Sequence, residues 1–519
     1  MQTPDTEGLH TLCRWPAHRA ALDPHRTVLL DRGLGLSAAD LADRSERLAE
    51  RLTGAGFGPG SVLVTVSGNS ADHVVMLFAC ARAATAMAPL SWRLTPHELA
   101  GHLATIEPDL VVVEHTFSTL VDQAVALSGR PWPVVELGEH GIEGFTDLPM
   151  GPCSPESLRP ARDDDPLLMM PTAGTTGQSR VAVLSQANCD WTSRSHGEAI
   201  GMSSNDVVLS VLPQYHVGGW TIQLLQAVRV GALVILERSF DPGRCLRLIG
   251  DHQVTCLMGV PANFAFMAQH PDFEVASLTS LRAVVSGGAP LPETVSRRWA
   301  ARGVALRQGY GLTEASPNVL LQGEDEAMHR PGGVGRPYPF VEVALADADG
   351  RQLAGAAEGE LLVRGPNVFL RYHRDPQATA SVLREGWLHT GDLARRDLQG
   401  CFTITGRLKE IFISGGESVA PAEVEQVLRQ HPGVLDAAVV GVPDEQWGEV
   451  PVAWVVADGN LAESELISHA AQRLVGYKVP TQVRFTGHIP RNALGKVRRA
   501  DLLDLWVQQT SNRGADREA

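Results

Sequence analysis

Between about residues 60 and 315, short runs of β-branched and apolar residues alternate with amphipathic stretches of helical length. This alternation constrains the chain more than any other feature. Strands that are apolar on both faces must be covered on both sides, and helix-length spacers between them build largely parallel sheets from βα units. Segments 61–67 (SVLVTVS), 109–114 (DLVVVE), 206–213 (DVVLSVLP), 232–237 (ALVILE) and 281–288 (LRAVVSGG) read as such strands. Helices fall between them. One start is marked at Asp241-Pro242, an acceptor at the N-cap followed by proline at the first helical position, with Leu246, Leu248 and Ile249 behind it. The apolar stretch 74–90 reads as a buried helix, since Arg82 interrupts it and it is shorter than the ~20 residues that span a bilayer.

From about 331 to 405 the pattern changes to glycine-punctuated strands without helices (GELLVRG, GWLHTGD, GCFTITG), which predicts antiparallel, barrel-like structure. After GRLKE (406–410) short strands and helices resume. In PAEVEQVLRQ, Val424, Val427 and Leu428 have helical spacing, and a small α+β domain is expected. The tail QQTSNRGADREA is polar and expected to fray. At 519 residues the chain exceeds the ~250 to 300 at which single cores stop growing, so at least two domains are expected.

A net charge of −15 argues against binding a nucleic-acid backbone, which needs clustered Lys and Arg. Seven cysteines, an odd number without a C-x-x-C pair, argue against a disulfide framework or zinc site and fit a reducing cytoplasm. The N-terminus has neither a basic start nor an apolar core of signal-peptide type, and no membrane association is expected. Of the 44 lysines and arginines only Lys409, Lys478 and Lys496 are lysines. Arginine replaces lysine as a solvated charge, but its planar fork does not mimic a compact ammonium in a tight site. Retained lysines are therefore candidates for specific work.

The segment PTAGTTGQSR (171–180) follows the apolar run LLMM and sets glycines around two threonines. Such a loop brings backbone N–H groups and hydroxyls close to an anion, although it is not a Walker loop. Taken with QGYGLTE (308–314), GWLHTGD (386–392), GRLKE (406–410) and PRNALGK (490–496), in that order along nearly the whole chain, the sequence resembles the adenylate-forming ligases. That superfamily includes acyl-CoA and aryl-CoA synthetases, luciferases and peptide-synthetase adenylation domains. The resemblance implies a large N-terminal domain (1–408) of two α/β subdomains plus a β-barrel-like subdomain, and a small mobile C-terminal α+β lid (409–519).

It also implies residue roles. Gly174, Thr175, Thr176, Gly177 and Arg180 would hold the β- and γ-phosphates of ATP. Gly288, Ala289 and Pro290 would line the adenine slot, Tyr310 and Gly311 would meet the base, and Thr313 the α-phosphate. Glu314 would bind Mg2+, a hard cation that prefers carboxylate oxygen. Asp392 would accept both ribose hydroxyls, and Arg407 would donate near the ribose and phosphate. Lys496 would bridge the attacking carboxylate and the α-phosphate, Lys409 would sit at the hinge, and Ser414, Gly415 and Gly416 would approach a pantetheine thiol of CoA. His216 in PQYHVGG, with Gly218, Trp220, Gly287 and Gly309, would shape the acid pocket. Lys478 is as readily a surface lysine as a functional one.

Two departures bear on function. In the phosphate loop Ala173, Ser179, Arg180 and Val181 replace the usual serine, proline, lysine and glycine, and Gln186 stands where histidine is common. The activity expected from the resemblance is adenylation of a small aryl or acyl acid followed by transfer to CoA. The alternatives are transfer to a carrier-protein thiol or an amine, ATP-dependent activation of nitrite, or a non-catalytic nucleotide-binding relative.

Overall fold

The structure is a computed structural model and describes residues 9–137, 148–154, 158–172, 180–329, 332–414, 417–444, 447–459, 461–491 and 495–515. Two large sheets lie in the first part of the chain. One has seven strands and includes Val62–Val66, Ala86–Leu90 and Leu110–Glu114 as parallel neighbours. The other has nine and includes Val207–Ser210, Leu233–Leu236, Cys256–Gly259 and Ala283–Ser286, again parallel. Each expected strand falls inside its apolar run. The helix Pro242–Asp251 begins where its signals put it, with the Asp241 carboxylate accepting from Arg244 N at 2.6 Å.

A six-stranded antiparallel sheet follows, built on Glu342–Ala346, Ala357–Arg364, Trp387–Arg396 and Phe402–Arg407. The last sheet has five strands, with Val434–Asp444 and Gly448–Ala457 as its long hairpin and the helix Pro421–Arg429 packed through Val424 and Leu428. This is α/β architecture with a small α+β unit at the C-terminus, as expected.

Three local expectations are corrected. Residues 74–90 are not one helix: the helix is Ala71–Ala83, Ala84 turns left-handed at φ 56°, and Ala86–Leu90 is a buried strand. The barrel-like region is not free of helices, since Pro376–Val382 is capped by Asp375 and starts on proline. The last helix, Arg499–Ala515, runs through most of the polar tail, with Leu502 buried near its start. No helix among the described residues is long and apolar enough to cross a membrane.

The two large sheets are joined by amide groups. Asn69, just past one strand, donates to the carbonyls of Leu212 (2.9 Å) and Glu237 (3.0 Å) of the other sheet, and its oxygen accepts from Gln214 N at 2.8 Å. The Gln214 oxygen accepts from Ser70 N at 3.0 Å and lies 3.2 Å from His73 Nδ1. The Asn69 amide and the Gln214 oxygen fix one packing of the sheets, because any slip would strand these bonded groups.

Burial holds His73 down to about 4 against the opposing pull of Gln214 and Glu114. His196 is pushed to about 3, by burial first and by Arg307 second. Both are neutral in the fold and take up protons more readily when unfolded. Their stabilisation is complete above about 6.5 and is lost as pH falls towards 4, on the order of 3 kcal/mol for His73. Denaturant titrations from pH 7 to 4 are expected to show falling stability, with a shallower slope in His73→Gln; an identical slope would assign the proton uptake to other groups.

Candidate active site

Described residues of the motifs at 308–314, 386–392 and 406–410 meet where the nine-stranded and antiparallel sheets face one another. Asp392 on Trp387–Arg396 stands directly opposite Arg407 on Phe402–Arg407, so the antiparallel register itself brings a carboxylate to a guanidinium. Arg407 Nε lies 2.7 Å from Asp392 Oδ1, and Asp392 is almost fully buried. The second oxygen accepts from the Tyr310 hydroxyl at 2.5 Å, which ties the nine-stranded sheet to the antiparallel one. Burial, then the neighbouring Asp392 charge, push the Tyr310 phenol well above its usual value, so it remains a donor. Each carboxylate oxygen keeps a further lone pair for a ligand hydroxyl.

The turn after Tyr310 is sterically exact at Gly311, where a Cβ would stand 1.8 Å from the Pro317 carbonyl oxygen. Thr313 and Glu314 occupy the short turn Thr313–Ala315 that this close approach creates. Glu314 accepts from the Tyr372 hydroxyl at 2.7 Å through one oxygen. Magnesium commonly takes only one or two protein carboxylates beside phosphate oxygens and water, so a single Glu with a second oxygen fits it.

Lys496 reaches this group from the far end of the chain. The residue is exposed, yet crowding by surrounding protein lowers its ammonium pKa, Arg407 lowers it further, and Asp392, Glu314 and Glu410 oppose that shift. The charges that act on Lys496 are therefore those of Arg407, Asp392 and Glu314, the residues expected to meet the nucleotide, and of Glu410 beside them. The two other lysines are elsewhere. Lys478 pairs with Glu423 at 2.6 Å inside the C-terminal unit, a structural tie, and Lys409 sits in the turn Leu408–Glu410 between the antiparallel and C-terminal sheets.

His216 caps the start of the helix Val217–Thr221. Burial pushes it to about 4, with smaller contributions from the Lys496 and Arg93 charges. It is neutral near pH 7, and its Nε2 is buried without a hydrogen-bond partner among the described residues. Gly219 allows the tight loop, since a Cβ there would meet the Pro213 carbonyl oxygen at 2.2 Å. A Cβ at Gly218 would approach Ile222 and Leu212, and one at Gly287 would approach the Met258 methyl at 3.0 Å and the Gly309 carbonyl. Trp220, expected in the pocket wall, is fully buried, donates its indole N–H to Gln214 O and meets His73 edge to face at 5.0 Å, so it is the floor on which the His216 loop rests.

Gly288 takes φ 83° at the end of the strand Ala283–Ser286, with Ala289 partly buried and Pro290 exposed beyond it. Ser286 Oγ beside it is buried with no partner among the described residues. These open polar atoms and missing side chains fit a flat, polar-edged ligand. Ser414 is buried on Phe412–Ser414. Gly174, Thr175, Thr176, Gly177, Gly415 and Gly416 lie outside the described residues, as do Ala173 and Ser179. Gln186 is fully buried and bridges Leu12 N (2.9 Å) and Ala81 O (2.7 Å), so it braces the N-terminal segment.

Sequence reasoning missed Tyr372, Arg93 and Glu410. Tyr372 and Arg93 meet the site through residues far away in the sequence, and Glu410 closes the GRLKE motif without a role assigned to it there.

Asp392→Asn is expected to weaken nucleotide binding by about tenfold or more, roughly the worth of one charge-assisted hydrogen bond, and to lower the melting temperature. Calorimetric titration with ATP checks this; wild-type affinity would remove Asp392 from the nucleotide site. Gly311→Ala is expected to disrupt the Glu314 turn and abolish nucleotide binding in the soluble fraction, read by the same titration.

The AMP-binding enzyme family profile matches residues 16–373, and the AMP-binding enzyme C-terminal domain profile matches 423–496. The chain is 38% identical over 490 residues to a feruloyl-CoA synthase of Amycolatopsis sp, covering 94% of this chain and 97% of that protein. It is 36% identical over 515 residues to the indoleacetate–CoA ligase of Aromatoleum aromaticum, covering 96% and 99%. The fold superposes on the crystal structure of ATP-bound MatB from Rhodopseudomonas palustris with a TM-score of 0.86 at 30% identity, over 96% of this chain and 99% of that one. The chain belongs to the AMP-binding enzyme family, the adenylate-forming ligases.

Proposed function

We propose that this protein is an ATP-dependent, AMP-forming ligase that adenylates a small aryl or acyl carboxylic acid and transfers it to the thiol of CoA. The observation that carries the reading is the convergence of Lys496, Arg407, Asp392 and Glu314 from separate parts of the chain on one site. In the first step a carboxylate oxygen attacks the α-phosphorus of ATP, the bond to the β-phosphate breaks and pyrophosphate leaves. Both reactants are anionic, so cations fixed around the α-phosphate lower the barrier more than they favour the ground state. Lys496 and Arg407 supply that charge, and Asp392 holds Arg407 in place while accepting the ribose hydroxyls. A magnesium ion held by Glu314 would screen the leaving pyrophosphate. In the second step the CoA thiolate attacks the acyl carbon, forming a thioester and releasing AMP, with the thiol proton passing to solvent.

The lid of this proposal is residues 409–519, turning at Lys409. The arrangement with Lys496 at Asp392 and Glu314 suits the first step. The acid pocket lies beside neutral His216, where Gly218 and Gly287 let Ile222, Leu212 and Met258 pack closely and supply apolar surface, with Gly309 beside them. Such a pocket suits an uncharged aryl or alkyl body better than a second carboxylate. The aryl acids in the names of the two relatives above support the same class.

Acid-dependent pyrophosphate exchange across a panel of arylpropenoic, arylacetic and aliphatic acids, followed by thioester formation on adding CoA, tests the reading. Exchange with none of the acids would overturn it, and AMP release with nitrite or loading of a carrier protein without CoA thioester would redirect it. Lys496→Ala is expected to reduce exchange by at least a hundredfold, about 2.7 kcal/mol, while CoA attack on a supplied acyl-adenylate stays near wild type. Equal loss in both half-reactions would refute the role given to Lys496.

A further inference from the structure

Glu314 sits on a three-residue turn, and nothing in that turn fixes its flexible side chain. The fixing comes from residues 369–373, which leave the antiparallel sheet and return to the edge of the seven-stranded one. Leu370 N donates to Val183 O (2.9 Å) and His373 N to Val181 O (2.8 Å), and Arg371–Tyr372 pairs antiparallel with the strand Arg180–Ser185. The same short segment grips Glu314 twice. Phe369 N donates to its backbone carbonyl at 2.8 Å, and the Tyr372 hydroxyl donates to its carboxylate at 2.7 Å.

Arg180 completes the connection. It is the first residue of the strand that leaves the phosphate loop, and its guanidinium lies over the Tyr372 ring at 5.3 Å and 3.6 Å from the Asp375 carboxylate. A lysine could supply the charge but not a planar group that covers an aromatic face. Tyr372 itself is 6% exposed, and its hydroxyl, facing a carboxylate that can only accept, is the donor of the pair. One Glu314 oxygen is thereby occupied and oriented while the other is left for a cation.

We propose that Tyr372 is a positioning residue: its hydroxyl aims the Glu314 carboxylate at a divalent cation on the ATP phosphates and, through Arg180, ties that aim to the exit of the phosphate loop. The proposal rests on the ligase reading above and concerns how its metal carboxylate is held.

The test uses the full-length protein with Tyr372→Phe, which keeps the ring under Arg180 and removes only the donor. Mn2+ binding in the presence of a non-hydrolysable ATP analogue, read by electron paramagnetic resonance, is expected to weaken about tenfold. The Mg2+ concentration for half-maximal exchange is expected to rise by a similar factor, with the KM for acid unchanged. Unmoved Mn2+ and Mg2+ dependence in folded Tyr372→Phe would overturn the proposal. Should that variant fail to fold, Arg180→Lys serves in its place: a smaller weakening of Mn2+ binding supports the link, and wild-type binding overturns it. The two readings fail separately. A wild type that forms AMP but whose Mn2+ site ignores Tyr372 sinks only this inference, whereas Tyr372-dependent Mn2+ binding without AMP from any acid sinks only the ligase reading.

Discussion

Asp392 is the constraint on which the arrangement depends. A nearly buried carboxylate is costly to keep ionised unless donors surround it, and here the donors come from different sheets: Arg407 from the facing strand and Tyr310 from the nine-stranded sheet. Satisfying one charge therefore sets the distance between two layers of the protein. The Glu314 turn and the approach of Lys496 are both referenced to that distance.

Around this clasp the protein uses absence as much as presence. Gly311 lets its turn close against a carbonyl, Gly219 does the same for the His216 loop, and Gly287 lets the Met258 methyl and the Gly309 carbonyl come close. The loops are stiffened from beneath, by Trp220 on His73 and by the amides of Asn69 and Gln214. Neutral His216 adds a polar edge without a second charge beside Lys496.

Much of this was legible in the sequence, for a physical reason in each case. The strands Val62–Val66, Leu110–Glu114 and Ala283–Ser286 announce themselves because a strand covered on both faces must be apolar throughout. Residues 74–90 mislead for the same reason: a run apolar at nearly every position carries no period, and the break at Ala84 depends on a backbone turn that alanine does not advertise. The helix Pro376–Val382 carried the same Asp-Pro start as Pro242–Asp251 and was hidden only by the glycine-rich strands around it. In the site, Tyr310, Asp392, Arg407, Glu314 and Lys496 are recognisable as an ordered set of motifs. Tyr372 is not, because its meaning arises from pairing with a strand almost two hundred residues earlier, which no local pattern encodes.

That late pairing bears on how the chain is made. The strand Arg180–Ser185 leaves the ribosome long before Arg371–Tyr372, and until the latter arrives one side of it offers unpaired N–H and C=O groups. During synthesis the seven-stranded sheet is therefore an unfinished surface for the time needed to translate the chain between these two strands, about ten seconds or more. The edge that later seats Tyr372 is thus open to wrong partners in the nascent chain. Expression yield should respond to substitutions in residues 369–373 even where the finished fold tolerates them.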